Sequence, residues 1–253
     1  MDDPRALFDL TGRVACITGA SSGLGQQVAR TLAAAGAQVV GVARRSDALA
    51  QMQAEIGSRA ETVVADVADR DGVDGLVQTI SSKFGAPDIL VHAAGINTRE
   101  AADDVTPEGW DATMALNLSA PFFLSQAMVP AMKEKGWGRV VNFASLQTTR
   151  AFPGGIAYGA TKAGIGQLTR AMAEAWSPFG ITANAIGPGF FPTELTQAVF
   201  EDPDRSKRNA EQTCIGRNGR MQDIDGPILF LCSQASDYVT GQVLMVDGGF
   251  TAK

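Results

Sequence analysis

The stretch RVACITGASSGLG, residues 13–25, is the strongest local indication of the fold. Residues 13–18 form a short apolar run of the kind found in buried strands. Three glycines follow, Gly19, Gly23 and Gly25. Residues 26–35 then show the apolar spacing of a helix, and Gly36 is suited to end it. A strand, a glycine-rich turn and a helix in direct succession predict an α/β protein.

The same alternation of strand and helix continues along the chain, which predicts a parallel sheet covered on both faces. Strands are predicted over 13–18, 38–43, 61–65, 89–92, 140–143, 182–186 and 243–246. Helices are predicted over 26–35, 46–56, 70–84, 107–135 and about 158–179, with Ser46 and Thr106 as N-caps and Pro107 as a first helical residue. The expected fold is therefore a single doubly wound Rossmann-type α/β domain over 1–253, with a parallel sheet of about seven strands.

Composition excludes several other classes of protein. The formal net charge of −6 argues against a nucleic-acid-binding protein. The three cysteines, Cys16, Cys214 and Cys232, are odd in number and lack the spacing of metal ligands. They predict reduced thiols in a cytoplasmic protein without a metal site. The acidic start of the chain leads into no long apolar run, so neither a signal peptide nor a membrane span is expected.

Tyr158 and Lys162 are spaced so that, on a helix, both side chains lie on one face. A free tyrosine titrates near ~10, too high for proton transfer around neutrality. Lowering its pKa to ~7 takes roughly 4 kcal/mol of preferential stabilisation of the phenolate. A neighbouring lysine cation, shielded from water, can supply much of this. By itself the pair is compatible both with a tyrosine that exchanges protons and with two residues that merely share a helix face.

Two further residues give this pair a context. Ser145 lies just after the apolar run at 140–143, and Asn117 lies in the middle of the helix predicted over 107–135. The glycine turn, Ser145, Tyr158 and Lys162, in this order, resemble the short-chain dehydrogenase/reductase family. The resemblance extends from about Leu10 to Phe250 and implies an enzyme that interconverts a secondary alcohol and a ketone with a nicotinamide cofactor.

The resemblance implies a role for each residue of this set. Tyr158 would donate or accept the hydroxyl proton, and Ser145 would hydrogen-bond the substrate oxygen. Lys162 would hold the nicotinamide ribose and lower the pKa of the tyrosine. Asn117 would anchor a water molecule that leads to the lysine.

The cofactor site is predicted at the glycine turn, where bare backbone can approach a pyrophosphate and the helix N-terminus favours anions. The spacing of Gly19, Gly23 and Gly25 differs from G-x-G-x-x-G. The resemblance adds further contacts with the dinucleotide. These are Ser21, Ser22, Leu24, Asp66, Val67, Ala94, Gly95, Pro188, Gly189, Phe191 and Thr193, together with Tyr158 and Lys162.

The end of the second strand indicates which cofactor is bound. A carboxylate there accepts hydrogen bonds from a free ribose 2′-hydroxyl, whereas an arginine accommodates a 2′-phosphate. This chain has Arg44 and Arg45 and no carboxylate at that point. The expected cofactor is therefore NADP.

One motif departs from the family pattern. The family often has Asn-Asn-Ala-Gly after the fourth strand, where this chain has His92-Ala93-Ala94-Gly95. His92 is the only histidine. Because it lies at the end of a buried strand, we expect it to make a structural hydrogen bond and to take no part in chemistry.

The substrate is indicated only by resemblance. Residues 95–99 and 184–194 look most like the gluconate 5-dehydrogenase branch, which suggests a polyol, a sugar acid or another ketone. Arg99 would meet a substrate carboxylate, Arg150 could add a second cation, and Gln147 would line a pocket of mixed polarity. The charged segment over about 190–220 would form a substrate lid.

Three alternatives stay open on the sequence. A 3-oxoacyl carrier-protein reductase has nearly the same motifs, and a general carbonyl reductase would also fit. A non-catalytic nucleotide-sensing protein on the same fold is the most distant one, since such a protein has no need for the four residues Asn117, Ser145, Tyr158 and Lys162. The resemblance also implies a homotetramer, with small residues Gly164, Gly166 and Ala171 at a helix interface.

Overall fold

A sheet of seven parallel strands forms the centre of the computed structural model, which describes residues 3–253. The strands are β1 (Val14–Thr18), β2 (Gln38–Ala43), β3 (Ala60–Val64), β4 (Ile89–His92), β5 (Gly138–Phe143), β6 (Ile181–Pro188) and β7 (Val243–Val246). All seven were predicted, and their bounds differ from the prediction by two residues at most. This confirms the expected α/β fold.

The strand order is β3-β2-β1-β4-β5-β6-β7. The chain thus builds one half of the sheet outward from β1, returns to the middle at β4 and builds the other half. In such a sheet the connections on either side of β1 and β4 diverge, which leaves a crevice at their carboxyl ends. Thr18 pairs in register with Val42 on one side and with His92 on the other. The loops that follow these three strands therefore start side by side.

Helices cover both faces of the sheet. The α-helices are α1 (Gly23–Ala34), α2 (Ser46–Ile56), α3 (Val73–Phe84), α4 (Pro107–Met114), α5 (Ala120–Lys135), α6 (Ile156–Trp176), α7 (Gln197–Phe200), α8 (Pro203–Gln212) and α9 (Asp225–Cys232). In β1, Ala15 and Ile17 face a core shared with α1 and α9, whereas Val14 and Cys16 face a core shared with α5 and α6. The five inner strands are largely buried on both faces, as their continuous apolar runs predicted, whereas the edge strands β3 and β7 are partly exposed.

The helix ends lie within three residues of the prediction, with α1 starting at Gly23 and α3 at Val73, but one of the two predicted N-caps is wrong. The side chain of Thr106 accepts a hydrogen bond from the Gly109 amide at 3.0 Å, and Pro107 is the first helical residue. Ser46, however, is not the N-cap of α2: Arg45 holds that position in an extended conformation, and Ser46 is the first helical residue. The Ser46 hydroxyl donates a hydrogen bond to Asp47 Oδ1 at 3.3 Å and does not cap the helix backbone.

The helix predicted over 107–135 is interrupted. Between α4 and α5, residues Ala115–Ser119 wind as a π-helical turn. Such turns insert an extra residue into a helix and occur frequently at functional sites. This one contains Asn117.

Residues 190–220 leave the alternation of strand and helix, as expected. They form a short 3-10 turn at Glu194–Thr196, then α7 and α8. Phe191 and Val199 anchor the segment, with side chains only 2% exposed, whereas α8 has no buried residue. Over residues 3–253, no helix is both long and apolar enough to cross a membrane.

Candidate active site

A cleft of about 720 Å³ lies at the carboxyl ends of the strands. It extends from the glycine turn to the 190–220 segment. Apart from Arg150, the possible second cation, it brings together all but one of the predicted site residues. Those that line it are Gly19, Ser21, Ser22, Gly23, Leu24, Gly25, Arg44, Arg45, Asp66, Val67, Ala94, Gly95, Arg99, Ser145, Gln147, Tyr158, Lys162, Pro188, Gly189, Phe191 and Thr193. Asn117 is the exception and lies behind the cleft wall.

The glycine turn packs so closely that side chains would not fit. A Cβ on Gly19, whose φ is 71°, would lie 2.7 Å from the Ala94 amide nitrogen, and one on Gly25 would lie 2.3 Å from the Gly19 oxygen. Ser22 is the N-cap of α1, yet its side chain makes no capping hydrogen bond. The turn therefore presents bare backbone and a helix N-terminus to the cleft, which fits the pyrophosphate of a dinucleotide.

Two arginines at the end of β2 lie at the outer edge of this part of the cleft. The Arg44 guanidinium is 3.7 Å from a carboxylate oxygen of Asp66. Arg45 donates hydrogen bonds to the hydroxyl oxygens of Ser21 at 3.2 Å and Ser22 at 2.7 Å, and to Glu194 at 2.8 Å. Cations and hydroxyl groups together suit a phosphate monoester, so the residues present fit NADP.

Tyr158 and Lys162 face the cleft from the first turns of α6. The lysine Nζ lies 5.5 Å from the centre of the tyrosine ring and donates a hydrogen bond to the Phe143 carbonyl oxygen at 2.6 Å. Both side chains are buried, with 9% and 5% of their surface exposed. Helical spacing thus places them on one face, as the sequence predicted.

Burial dominates the proton affinities of this pair. It raises the pKa of the Tyr158 phenol above its usual value, and the Ser145 hydroxyl and the Arg99 guanidinium only partly oppose this. It lowers the pKa of the Lys162 ammonium to about 8. The expected lowering of the tyrosine pKa is therefore not found in this structure, because desolvation of the phenolate outweighs the favourable contacts.

Ser145 lies two residues after the end of β5 and is connected to α6 by hydrogen bonds through Thr148. Its Oγ accepts a hydrogen bond from the Gln147 amide at 3.1 Å, and its own amide donates to Thr148 Oγ1 at 3.2 Å. Thr148 Oγ1 in turn donates to the carbonyl oxygen of Lys162 at 3.2 Å. This short chain of bonds fixes the distance between Ser145 and α6.

Asn117 makes three hydrogen bonds within the protein through its carboxamide. Its Oδ1 accepts from the Ile96 amide at 2.9 Å, and its Nδ2 donates to the Ile96 carbonyl at 2.8 Å and to Thr161 Oγ1 at 3.2 Å. A Cβ on Gly95 would lie 3.3 Å from Asn117 Oδ1 and 3.8 Å from Lys162 Nζ. Asn117 therefore joins the loop after β4 to the helix that carries the lysine.

Arg99 has an unusual backbone. It is the only non-glycine residue within 3–253 with a positive φ, at 58°. The side chain of Asn97 accepts a hydrogen bond from its amide at 3.1 Å, and its guanidinium donates to the carbonyl oxygen of Leu195. Strain of this kind is concentrated at functional sites. Arg99 links the loop after β4 to the 190–220 segment.

Aromatic rings form the wall of the cleft next to Gln147. Phe152 and Phe190 contact each other with ring centres 6.2 Å apart, and Phe250 lies about as close to both. Arg150 does not line the cleft, because its guanidinium donates to the carbonyl oxygen of Lys253 at the end of the chain. The expected second cation is therefore absent from this part of the cleft.

His92 makes the structural hydrogen bond that was expected of it. Its Nε2 lies 2.8 Å from the Ser125 hydroxyl, which itself donates to the Pro121 carbonyl. Burial lowers the pKa of the imidazole to about 3, so it stays neutral. It stands where the family motif has its first asparagine, and it links β4 to α5.

Several cleft residues were not predicted. Ile96, Phe190, Glu194, Leu195, Val199 and Arg205 all line it. Most belong to the 190–220 segment, where no strand or helix pattern indicates which side chains turn inward. A signal was present for Ile96, Phe190 and Glu194, since each directly follows a predicted cofactor contact.

Comparisons with known proteins agree with this geometry. A crevice at the switch of strand order, with a glycine turn and a buried tyrosine–lysine pair, defines a dinucleotide-binding oxidoreductase. A family model described as enoyl-(acyl carrier protein) reductase matches residues 19–251. The chain belongs to the short-chain dehydrogenase/reductase family, as the sequence predicted.

Three relatives illustrate its place in the family. Gluconate 5-dehydrogenase of Gluconobacter oxydans is 40% identical, over 97% of both chains. A crystal structure of a gluconate 5-dehydrogenase from Burkholderia cenocepacia, in complex with NADP and tartrate, has a TM-score of 0.92 at 39% identity over 98% of both chains. The 3-oxoacyl-[acyl-carrier-protein] reductase of Escherichia coli is 34% identical, over 96% of this chain and 98% of its own. NADP in the second relative agrees with the predicted cofactor.

Proposed function

We propose that this protein is an NADP(H)-dependent dehydrogenase that interconverts a secondary alcohol and a ketone on a sugar acid or a related polyol. The observation that carries the proposal is the buried Tyr158–Lys162 pair beside Ser145, at the inner end of a cleft whose outer end has Arg44 and Arg45. The residues for proton transfer and those for dinucleotide binding thus line the same crevice.

Three residues perform the acid–base chemistry in this proposal. The Ser145 hydroxyl oxygen accepts a hydrogen bond from the Gln147 amide. The hydroxyl proton is therefore free to be donated to the substrate oxygen. Tyr158 gives its proton to that oxygen in the reductive direction, in which the hydride would come from bound NADPH. Lys162 approaches the tyrosine ring and holds its charge in a buried site, where it stabilises developing phenolate.

Asn117 is a positioning residue in this scheme. Its carboxamide fixes the Ile96 backbone and Thr161, and therefore the loop and the helix turn on either side of the lysine. A water molecule near Lys162 would find Asn117 Oδ1 within reach, since both atoms lie within 4 Å of one point beside Gly95.

The cofactor would lie along the outer part of the cleft. Its pyrophosphate would contact the turn from Gly19 to Gly25, and its adenosine would contact Asp66, Val67, Ala94 and Gly95. Arg44 and Arg45 would receive the 2′-phosphate. Residues 188–193 would hold the nicotinamide through Pro188, Gly189, Phe191 and Thr193, and residues 190–220 would act as a lid on the single domain.

The substrate class is supported by Arg99, a cation on the cleft wall near the tyrosine. An arginine can bind a carboxylate through two parallel hydrogen bonds, which fixes orientation as well as affinity. The relative crystallised with tartrate, itself a hydroxy acid, supports the same class. A specific observation favours a second candidate: Phe152, Phe190 and Leu195 form an apolar wall that a 3-oxoacyl chain would suit.

The assay that tests the proposal records NADPH oxidation with three groups of substrates: keto acids of sugars, neutral ketones and a 3-oxoacyl thioester. Preferential turnover of the keto acids is expected. Preferential turnover of the thioester would favour the second candidate, and no turnover with any group would contradict the proposal.

Replacing Arg99 by alanine is expected to raise KM for keto acids by about tenfold to a hundredfold, because hydrogen bonds to charged groups contribute roughly 1.5–3 kcal/mol. KM for neutral ketones should change little. Arg150→Ala is the matched control, since Arg150 lies outside the cleft. Equal changes for both groups of substrates in Arg99→Ala would show that Arg99 does not bind the carboxylate.

We further propose a homotetramer in the cytoplasm, the compartment that its odd number of thiols favours. Interfaces would form along α4, α5 and α6 and around residues 242–250. β7 is an edge strand with Leu244 37% exposed, which supports a partner there. Of the small residues on α6, Ala171 is exposed, whereas Gly166 is buried against Thr148 of the same chain and is not available to a partner.

Light scattering should give a mass close to four times the chain mass of 26.4 kDa. A mass that stays at the monomer value over a hundredfold range of concentration would contradict the tetramer.

A further inference from the structure

A carboxylate from the 190–220 segment lies at the end of β2. Glu194 Oε1 accepts a hydrogen bond from Arg45 at 2.8 Å, and its Oε2 accepts one from the Ser22 hydroxyl at 3.2 Å. Arg45 also donates to Ser21 and Ser22. Four side chains from three separate parts of the chain thus form one hydrogen-bonded group, which we call the Arg45 cluster: Ser21, Ser22, Arg45 and Glu194.

This position is the one at which Rossmann-type folds discriminate between cofactors. An acidic residue there favours a free 2′-hydroxyl, and an arginine favours a 2′-phosphate. The end of β2 itself contains no carboxylate, but the fold brings Glu194 to it from 149 positions further along the chain. The site therefore contains both kinds of discriminating residue.

We propose that Glu194 is a specificity-determining residue that weakens NADPH binding selectively and so allows NADH to be used as well. This inference rests on the proposed function, because it takes the Arg45 cluster as the site of the cofactor's 2′ group.

Competition for the same donors is the first reason. A 2′-phosphate bound by Arg45 and Ser22 needs the N–H and O–H groups that now donate to Glu194. Those hydrogen bonds must break or be shared before the phosphate is bound. A 2′-hydroxyl makes no such demand, since it can donate to the carboxylate as it stands.

Repulsion between like charges is the second reason. Arg45 holds the pKa of the Glu194 carboxyl below its usual range, so the group is ionised at neutral pH. A phosphate within hydrogen-bond reach of Arg45 lies beside this negative charge. About half of each side chain is exposed, so the repulsion is moderate and depends on salt.

A second contact, independent of the ion pair, holds the start of the 190–220 segment against the glycine turn. Glu194 follows Thr193, whose methyl group lies 3.2 Å from the position of a Cβ on Gly23. The start of the segment therefore already rests on the glycine turn without help from the ion pair. Removing the charge of Glu194 should leave this contact, and with it the shape of the cleft, unchanged.

The experiment measures dissociation constants of NADPH and NADH from the fluorescence of the reduced nicotinamide, with wild type, Glu194→Gln and Glu201→Gln. Glu201 undergoes the same chemical change in the same segment but does not line the cleft. Glu194→Gln should bind NADPH about five- to tenfold more tightly, as expected for removing one charge about 4 Å away in a solvated site. Its affinity for NADH should stay the same or fall.

Glu201→Gln should leave both constants unchanged, and the gain in Glu194→Gln should shrink as salt is raised. Equal tightening for both cofactors, an unchanged ratio, or weaker NADPH binding in Glu194→Gln would overturn the inference. Failure of wild type to bind either cofactor would instead contradict the proposed function, so the two failures are distinguishable.

Discussion

Replacing Tyr158 by phenylalanine is expected to lower kcat by about a thousandfold, the usual contribution of a positioned general acid or base. The substitution removes one hydroxyl group and keeps the ring, which is 9% exposed and packed in the cleft wall. The Kd for NADPH, measured by nicotinamide fluorescence, should therefore change little. The expected result is loss of turnover in a protein that still binds its cofactor.

The chain provides a matched control for this substitution. Tyr238, the other of the two tyrosines, is fully exposed, so Tyr238→Phe removes the same group far from any chemistry. It should keep wild-type kcat. A Tyr158→Phe enzyme with kcat within tenfold of wild type would disprove the assignment of Tyr158 as the proton donor.

Replacing Lys162 by methionine should have two opposite effects: turnover falls by at least about a hundredfold, the lower end for a residue of the acid–base set, and stability rises with a characteristic pH dependence. Burial lowers the pKa of Lys162 from 10.5 to about 8. Below pH 8 the folded wild type carries a buried charge that costs ~3 kcal/mol relative to the unfolded chain. Methionine has nearly the same length and avoids this cost.

The sign of the pH dependence follows from the lowered pKa. The unfolded chain binds the lysine proton up to about pH 10.5, whereas the folded chain loses it near 8. The cost to wild type is therefore complete at pH 7 and disappears between pH 8 and 10.5. The stability of Lys162→Met relative to wild type should fall by about 2–3 kcal/mol between pH 7 and pH 10.

Urea unfolding of both proteins without cofactor measures this difference. The absolute gain at pH 7 will be smaller than 3 kcal/mol, because the Phe143 carbonyl loses its hydrogen bond to Nζ. That loss is the same at every pH, so the change with pH is the decisive quantity. Lys207→Met, at a lysine 76% exposed on α8, is the control and should show no such change. A pH-independent difference for Lys162→Met would mean that the lysine is not a buried charge.

The proton donor and its lysine were predictable because their relation is local. Helical geometry alone places residues 158 and 162 on one face, and the apolar runs alone indicate seven buried strands. The glycine turn was visible as closely spaced glycines after a strand, and Gly25 packs on the nearby Gly19, whereas the contact of Gly19 with Ala94 depends on the tertiary structure. The fold class follows from patterns of this kind, and the resemblance to the family supplied most of the other predicted cleft residues.

The sequence identified Asn117 as a site residue, but it did not predict the backbone conformation there or the hydrogen bonds of the side chain. The sequence placed it in a regular helix, whereas a π turn rotates it so that both ends of its carboxamide reach Ile96 and Thr161. A single extra residue in a helix turn gives no periodic signal over so short a stretch. The predicted lowering of the Tyr158 pKa was also wrong. Desolvation raises this pKa, and it depends on the atoms packed around the phenol and not on its neighbours in sequence.

The sequence by itself determined the order of strands and helices, the glycine turn and the tyrosine–lysine pair, since each depends on residues a few positions apart. Only the tertiary structure decided that Arg150 binds the end of the chain, that Gly166 turns inward and that Glu194 meets Arg45. These contacts join residues between 18 and 149 positions apart through loops without a repeating pattern. Their geometry follows from how the segments pack on the finished sheet, and that packing has no local signature in the chain.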